Sequence, residues 1–338
     1  MSKKLHVQTE NSFDVCLVGA TGLVGQTFLK VLDEFNFPIN RLKLLASKRS
    51  AGKTILFKGE ELIVEELDNE SFNGYQIAFF AAGGSISTQF CPIAVAAGLI
   101  VIDNSSAWRA DESVGLVVPE VNFNDVSISN LVANPNCSTI QSVIPLNALK
   151  NFGLKNVFYS TYQAVSGSGA QGQADLLRTL SGDDPEFYPC NISKTCIPHI
   201  DSFCDDGYTK EEFKMINETR KILNLPDLPV SATCVRVPVM NGHAVSVRVE
   251  LEKEFEIDEI VAAFEAQNGL QIIDDCKNCI YPTSLDVQGK SEVFVGRIRR
   301  DLSSSNGLLF YCVADNICKG AATNAVQMAL KMIEHDLV

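Results

Sequence analysis

Asn134-Pro135-Asn136-Cys137-Ser138-Thr139 places one cysteine where an extended apolar run, Leu131-Val132-Ala133, gives way to a helical pattern carrying Ile140, Val143, Ile144, Leu146 and Leu149. A helix N-terminus bears about half a positive charge and several unused N–H donors. A thiol held there ionises more easily, its pKa falling from about 8.5 into the range of roughly 3.5–7.5. The same N–H groups are suited to an oxyanion hole. The chemistry is attack on a carbonyl carbon, with Cys137 as the candidate nucleophile. Free cysteine is often only a small buried hydrophobe, but placement at a strand end and helix start favours the nucleophile.

Such chemistry needs a proton carrier and cations for anionic groups. Of the four histidines, His6 lies near the N-terminus, His335 in the last helical turn and His199 in loop-like sequence. His243 opens a strand directly after Asn241-Gly242, which makes it the acid/base candidate. Arg236 stands in a strand between Val235 and Val237, and alternation points it away from both. That direction suits solvent, or a carboxylate gripped by its planar fork. Arg109 follows a strand end, the side on which open α/β sheets bind ligands. Thr209-Lys-Glu-Glu212 fits a capping box. Glu211 and Lys214 share a helix face, a spacing that a surface ion pair satisfies equally well. Gln163 alternates with Tyr162 and Ala164, and its spacing also fits an outward-facing polar residue.

These residues need elements to hold them. Phe13-Asp14-Val15-Cys16-Leu17-Val18 reads as a buried strand, followed by Gly19-x-x-Gly22-x-x-Gly25, a helix, and a second strand at 41–46. This is a βαβ unit whose glycines form a variant of the dinucleotide fingerprint. The second strand runs into Ser47-Lys48-Arg49-Ser50 with no acid for a ribose 2′-hydroxyl. Two cations and two hydroxyls suit a 2′-phosphate, hence NADP. A literal G-x-G-x-x-G at Gly167-Ser168-Gly169-Ala170-Gln171-Gly172 lacks a following apolar strand, so it is a hinge, a loop approaching the nicotinamide, or a flexible turn.

Apolar strands at 77–81 and 99–102 flank a helix and extend a parallel sheet covered on both faces. After Asn151 the pattern alternates. Strands are predicted at 157–165, 230–239, 243–251, 293–299 and 308–313, with helices at 210–223 and 259–266. A largely antiparallel sheet follows, with 230–239 and 243–251 read as a hairpin around Asn241-Gly242. The fold class is α/β: a Rossmann-like, doubly wound parallel sheet plus an α+β catalytic and dimerisation domain. The expected division is 1–137 with a returning C-terminal helix at 319–338, and 138–318. Pro145 inside the helix after Cys137 is expected to remove one backbone bond and kink it.

Net charge −13 over 338 residues argues against a nucleic-acid partner. No apolar run reaches the roughly 18 residues a membrane span needs, and the N-terminus lacks a signal-peptide core. The 11 cysteines are odd in number and lack scaffold spacing, so a reduced, cytoplasmic protein is expected. Cys276-Lys-Asn-Cys279 has no second ligand pair beyond a loose grouping of Cys190, Cys196, His199 and Cys204, so no metal is expected.

In combination and in order, several stretches resemble the aspartate-semialdehyde dehydrogenase family, of the broader glyceraldehyde-3-phosphate-dehydrogenase-like fold group. They are the glycine turn, Asp103-Asn-Ser-Ser-Ala-Trp-Arg109, the Asn134–Gln141 stretch, Thr161-Tyr-Gln-Ala-Val-Ser-Gly167, Ser231-Ala-Thr-Cys-Val-Arg-Val-Pro238 with His243, and Asp315-Asn316 before Lys319-Gly320-Ala321-Ala322. The resemblance implies reversible, NADPH-dependent reduction of 4-aspartyl phosphate to aspartate 4-semialdehyde and phosphate. It implies a Cys137 thioester and a place in lysine (through diaminopimelate), methionine and threonine biosynthesis. It assigns His243 to acid/base work, Gln163 to orienting the substrate, Arg236 to the substrate carboxylate and Glu211 to its amino group. Arg109, Lys214 and Asn136 become phosphate binders. Gly19, Thr21, Gly22, Leu23, Val24, Gly25, Arg49, Ser50, Ser166, Gly167 and Asn316 become cofactor contacts. A homodimer is implied. Two alternatives are an N-acetyl-glutamyl-phosphate reductase, against which Asn-Pro-Asn-Cys-Ser-Thr speaks, and a non-catalytic dinucleotide-binding paralogue.

Overall fold

The computed structural model describes residues 12–338; His6 lies outside them. The chain divides into two compact units, Met1–Pro135 with Ala321–Val338, and Asn136–Gly320.

The first unit is built on an eight-stranded sheet in the order β3-β4-β2-β1-β5-β6-β8-β7. Its elements are β1 (Phe13–Val18), α1 (Leu23–Glu34), β2 (Ile39–Ala46), β3 (Thr54–Phe57), β4 (Glu60–Glu66), β5 (Ile77–Phe80), α2 (Gly84–Ala96), β6 (Ile100–Asp103), β7 (Gly115–Leu116) and β8 (Leu131–Ala133). All neighbours pair in parallel except the β3–β4 hairpin, which the sequence pattern did not single out. The central strands are buried over nearly their whole length, the burial expected of a sheet covered on both faces. Phe28 of α1 and Phe37 close on Phe79, with ring centroids 5.2 and 5.8 Å apart.

The chain order reverses between β1 and β5, the switch point at which open sheets bind ligands. There the glycine turn is packed to its limit. A side-chain carbon at Gly25 would lie 2.2 Å from the Gly19 carbonyl oxygen, so α1 approaches the turn as closely as only glycine permits. The last helix, α7 (Thr323–Glu334), joins this core through Ala325, Val326, Met328 and Ala329. Asn324 fastens it by donating to the Val117 carbonyl at 3.0 Å and to Asn134 Oδ1 at 2.7 Å.

The second unit opens with α3 (Cys137–Ala148), which runs on through Pro145. It continues with β9 (Leu154–Gln163), α4 (Gly169–Leu180), α5 (Lys210–Leu223), β10 (Val230–Arg236), β11 (His243–Leu251), α6 (Ile257–Ala266), β12 (Leu270–Ile272), β13 (Val293–Arg300) and β14 (Gly307–Ala314). The sheet order is β10-β9-β11-β14-β13-β12, mixed but mainly antiparallel at its centre. This corrects the expected hairpin: β10 and β11 are not neighbours. β9 lies between them and pairs in parallel with β10. The connection instead crosses the end of β9, where the Val237 N–H donates to Gln163 and the Val165 and Ser166 N–H groups donate to Val239 and Met240. Pro238, which has no N–H, sits in this crossing rather than in a ladder.

The crossing has a consequence for the site. The ends of β9 and β10, the start of β11 and the end of β14 all meet at one edge of the sheet. Arg236 is in register with Gln163, and His243 with Ala314.

Candidate active site

Cys137 is the first residue of α3 and is half-buried. Burial pushes the thiols of Cys16 and Cys312 up to about 12, which keeps them protonated and structural. The helix start is not open as expected, however. Asn136 Oδ1 accepts the Ser138 and Thr139 N–H groups at 3.0 and 3.2 Å. These two donors are therefore taken by the cap, and the oxyanion hole cannot be built from them.

Around this start the second unit gathers most of its candidate residues. Asn136 Nδ2 donates to Glu211 Oε1 at 2.8 Å, and Gln163 Nε2 donates to the same oxygen at 3.0 Å. Lys214 Nζ meets Glu211 Oε2 at 3.0 Å and Asp201 Oδ2 at 2.8 Å. Glu211 is buried, which alone would raise its pKa. The Lys214 charge and the bonds from Gln163 and Asn136 outweigh that and hold it below the usual carboxylate value. Burial likewise opposes the Lys214 charge, but the Glu211 and Asp201 carboxylates hold its pKa above the ordinary lysine value. Neither residue is the loose surface pair that spacing allowed. Thr209 and Glu212 do form a capping box, and Glu212 also accepts the Cys234 N–H at 3.1 Å, tying α5 to edge strand β10.

Arg236 and His243 are both buried, at 4% and 0% exposure. The face of β10 that carries Arg236 is thus an inner one, covered by α5. One peptide unit organises the pair. Arg236 Nη1 donates to the Ala164 carbonyl at 2.6 Å, and the Ala164 N–H donates to His243 Nδ1 at 2.9 Å. With Nδ1 an acceptor, a neutral imidazole carries its proton on Nε2. Nε2 is buried and meets no hydrogen-bond partner among the described residues. Burial, and then the Arg236 charge, push the His243 pKa well below its ordinary value, so the ring is neutral near pH 7. Gly167 passes directly over both groups: a side-chain carbon there would fall 2.8 Å from Arg236 Nη1 and 3.0 Å from His243 Nε2. Gln141 of α3 donates to the His243 carbonyl at 3.2 Å and links the helix that Cys137 opens to β11. Ser166 and Asn316 bond each other, and Asn316 accepts the Gly242 N–H at 2.9 Å just before His243.

The first unit holds the remaining candidates. Thr21 Oγ1 lies 3.4 Å from Ser50 Oγ, so the end of β2 reaches the glycine turn; Ser50 is buried and Arg49 exposed. A helix start with no side-chain cap, a hydroxyl pair and an exposed cationic side chain fit a phosphorylated dinucleotide. Arg109 donates to the Asn104 carbonyl at 2.8 Å. His199 stacks on Phe203, and among the described residues no three His, Cys, Asp or Glu side chains form a metal site. Nor is any helix there long and apolar enough to cross a membrane. A cavity of about 450 Å³ lies over the other face of the second sheet, lined among others by Tyr162, Ser246, Tyr281 and Tyr311; Cys137, Gln163, Glu211, Arg236 and His243 do not line it.

Three participants escaped the sequence pattern. Ala164 acts through its backbone, which leaves no mark in sequence. Asp201 holds Lys214 from a loop. Glu218, seven residues after Glu211, accepts the Asn136 N–H at 2.6 Å; its repeat along α5 was the available signal.

The first unit carries a dinucleotide-type sheet, and the second a buried histidine–arginine pair and a cysteine at a helix start, the parts expected of a nicotinamide-dependent oxidoreductase. The semialdehyde dehydrogenase NAD binding domain matches residues 14–129 and the semialdehyde dehydrogenase dimerisation domain residues 144–319. The chain belongs to the semialdehyde dehydrogenase family. It is 48% identical to the aspartate-semialdehyde dehydrogenase of Aquifex aeolicus, over 96% of this chain and 99% of that one. It is 47% identical to the enzyme of the same name from Bacillus subtilis, over 96% and 98%. The crystal structure of aspartate semialdehyde dehydrogenase II from Vibrio cholerae, complexed with ASA, superposes with a TM-score of 0.91 at 42% identity, covering 96% of this chain and 99% of that one.

Proposed function

We propose that this chain is an aspartate-semialdehyde dehydrogenase that interconverts L-aspartate 4-semialdehyde, phosphate and NADP⁺ with 4-aspartyl phosphate and NADPH. The observation that carries this proposal is His243 Nε2, buried and without a protein partner, beside the Arg236 guanidinium. A proton site and an anion clamp that would both lie within about 3 Å of a side-chain carbon at Gly167 suit a substrate with a carbonyl and a carboxylate.

Cys137 attacks C4, and His243 Nε2 holds the proton at the carbonyl oxygen as the tetrahedral adduct forms and collapses. The nicotinamide, when bound, accepts or supplies the hydride. Arg236 grips the α-carboxylate, Gln163 orients the substrate and Glu211 receives its ammonium. Phosphate then resolves the Cys137 thioester, with Lys214 and Asn136 as its ligands in this unit. Arg109 keeps its assignment as a phosphate binder in the other unit. Gly19, Thr21, Gly22, Leu23, Val24 and Gly25 cradle the pyrophosphate. Arg49 and Ser50 select the 2′-phosphate, hence NADP over NAD. Ser166, Gly167 and Asn316 complete the cofactor contacts. The chain works as a homodimer, through the domain that its family description calls a dimerisation domain. The exposed sheet face with Phe158 and Tyr162 is the surface assigned to that contact. We place the enzyme in the cytoplasm, in the biosynthesis of lysine, methionine and threonine.

The test is the ultraviolet absorbance of reduced nicotinamide, followed with aspartate semialdehyde, with and without phosphate, and with NAD⁺ in place of NADP⁺. Phosphate-dependent NADPH formation is expected. Turnover of N-acetyl-glutamate semialdehyde but not aspartate semialdehyde would instead identify the acetylated-substrate reductase. Dinucleotide binding without any turnover would identify a non-catalytic paralogue.

A further inference from the structure

The acids of α5 recur every two turns. Glu211 and Glu218 lie seven residues apart, hence on one helix face, and both are buried. Between them, Met215 Sδ stands 3.5 Å from the Thr139 hydroxyl. This face therefore lies along the first turn of α3. Both acids grip the same residue: Glu218 Oε2 accepts the backbone N–H of Asn136 at 2.6 Å, and Glu211 Oε1 accepts its side-chain amide at 2.8 Å. Asn136 in turn caps Ser138 and Thr139, and its carbonyl accepts the Ile140 N–H. The backbone N–H, the backbone carbonyl and both side-chain polar atoms of Asn136 thus each have a protein partner, and the next residue is Cys137.

The two acids are not equivalent. Glu211 is shared among Asn136, Gln163 and Lys214, and in the proposed reaction it also meets the substrate ammonium. Its hold on Asn136 must loosen as substrate arrives. Glu218, by contrast, holds main chain. A hydrogen bond to a carboxylate is shorter and stronger than a neutral one, and a buried N–H left without its acceptor is costly.

We propose that Glu218 is the positioning residue of the nucleophile: by holding the Asn136 N–H it fixes the peptide that precedes Cys137 and keeps the Asn136 cap on the helix. This rests on Cys137 being the nucleophile of the proposed reaction. Glu218 holds the residue that precedes Cys137, so its effect is expected on the chemical step rather than on binding.

The experiment uses the full chain as wild type, Glu218→Ala and Glu218→Gln. Steady-state kinetics are combined with the rate of iodoacetamide alkylation of Cys137, read by mass spectrometry on the peptide that carries it. Glu218→Ala is expected to lower kcat by about 10- to 100-fold, since small misplacements cost that much. KM for semialdehyde and NADP⁺ should stay within about threefold, the mark of an interaction that acts in the transition state. Cys137 alkylation should slow in parallel. Glu218→Gln keeps an oxygen at the same reach and should recover most of kcat and of the alkylation rate. Wild-type kcat and Cys137 reactivity in Glu218→Ala would overturn the proposal. So would equal losses in both variants with Cys137 alkylation unchanged, which would mean that Glu218 only supports the fold. If Glu218→Ala does not fold, Glu218→Asp, one methylene shorter, must show the losses that Glu218→Gln does not. A wild type inactive on aspartate semialdehyde would sink the proposed function, whereas Cys137 alkylation would still read the role of Glu218.

Discussion

Two helices of this chain start where a short strand has just ended, and they use their starts in opposite ways. α1 begins behind Gly22, whose backbone is extended (φ −78°, ψ 166°) and which has no side chain to cap with. α3 begins behind Asn136, whose Oδ1 takes two of the helix's first N–H groups. Neither helix has an acid in its first turn. The bare start leaves its donors for an anionic ligand. The capped start spends the Ser138 and Thr139 donors on its own side chain, and Cys137 is the first residue of the helix. In the proposed reaction the same strand–turn–helix geometry serves a cofactor at one start and a nucleophile at the other, and the two differ at the N-cap.

The largest expected effect separates the two starts outright. Cys137→Ala should lower turnover by at least about 10⁴-fold, the scale on which nucleophiles are lost in covalent enzymes. NADP⁺ affinity, measured by fluorescence titration, should be unchanged because the α1 start is untouched. Retained phosphate-dependent NADP⁺ reduction would refute the covalent step.

Gly25→Ala strikes the other start. Its new carbon would sit 2.2 Å from the Gly19 oxygen and 2.8 Å from Ala20 Cα, both backbone atoms that cannot swing aside. The cost should be about 3 kcal/mol, typical of forced overpacking, seen as a lower denaturation midpoint with weakened dinucleotide binding. Cys137 alkylation should keep its wild-type rate. An alanine variant that binds NADP⁺ normally would show that the turn tolerates what its geometry forbids.

The sequence made some elements legible and hid others for definite reasons. The β1 strand and helix α5 lie where the pattern put them, because apolar period and capping chemistry are local signals. The β10–β11 hairpin was wrong because strand pairing is decided by distant chain: β9, some 70 residues earlier in register, takes the place between them. Arg236, Gln163 and Glu211 could be singled out by type, yet spacing left each of them free to be a surface residue. Their burial follows from α5 covering the inner face of β10, which no window of sequence contains. Ala164 was illegible altogether, since its contribution is one carbonyl and one N–H.

The histidine of the capped unit gives a pH test of intermediate size. The folded pKa of His243 lies well below the ordinary 6.5. Above about pH 6.5 neither folded nor unfolded ring binds a proton, and the native state keeps its full stability. As pH falls below that, the unfolded ring takes up a proton that the buried ring refuses, and stability drops by up to about 1.4 kcal/mol per pH unit. His243→Asn lacks this titration, so the stability of wild type relative to the variant should decline from pH 7 to pH 5. A difference that stays constant across that range would mean that Nε2 is open to water.

The smallest effect sharpens the comparison most directly, because it converts one start into the other. Gly22 has an ordinary φ, and a side-chain carbon there would come no closer than 3.4 Å to the Gly19 oxygen, so serine fits. In Gly22→Ser the hydroxyl can cap the first turn of α1 as Asn136 caps α3. Stability should rise by only a few tenths of a kcal/mol, the usual difference between a serine and a glycine cap. NADP⁺ binding should weaken by about fivefold, roughly 1 kcal/mol, since phosphate must now displace a hydrogen bond that the protein makes for itself. Thermal denaturation and fluorescence titration on the same sample read both quantities. The opposed signs are the content of the test. If serine strengthened NADP⁺ binding, the hydroxyl would be adding a phosphate contact, and the bare glycine start would owe its role to space for the pyrophosphate rather than to its unspent donors.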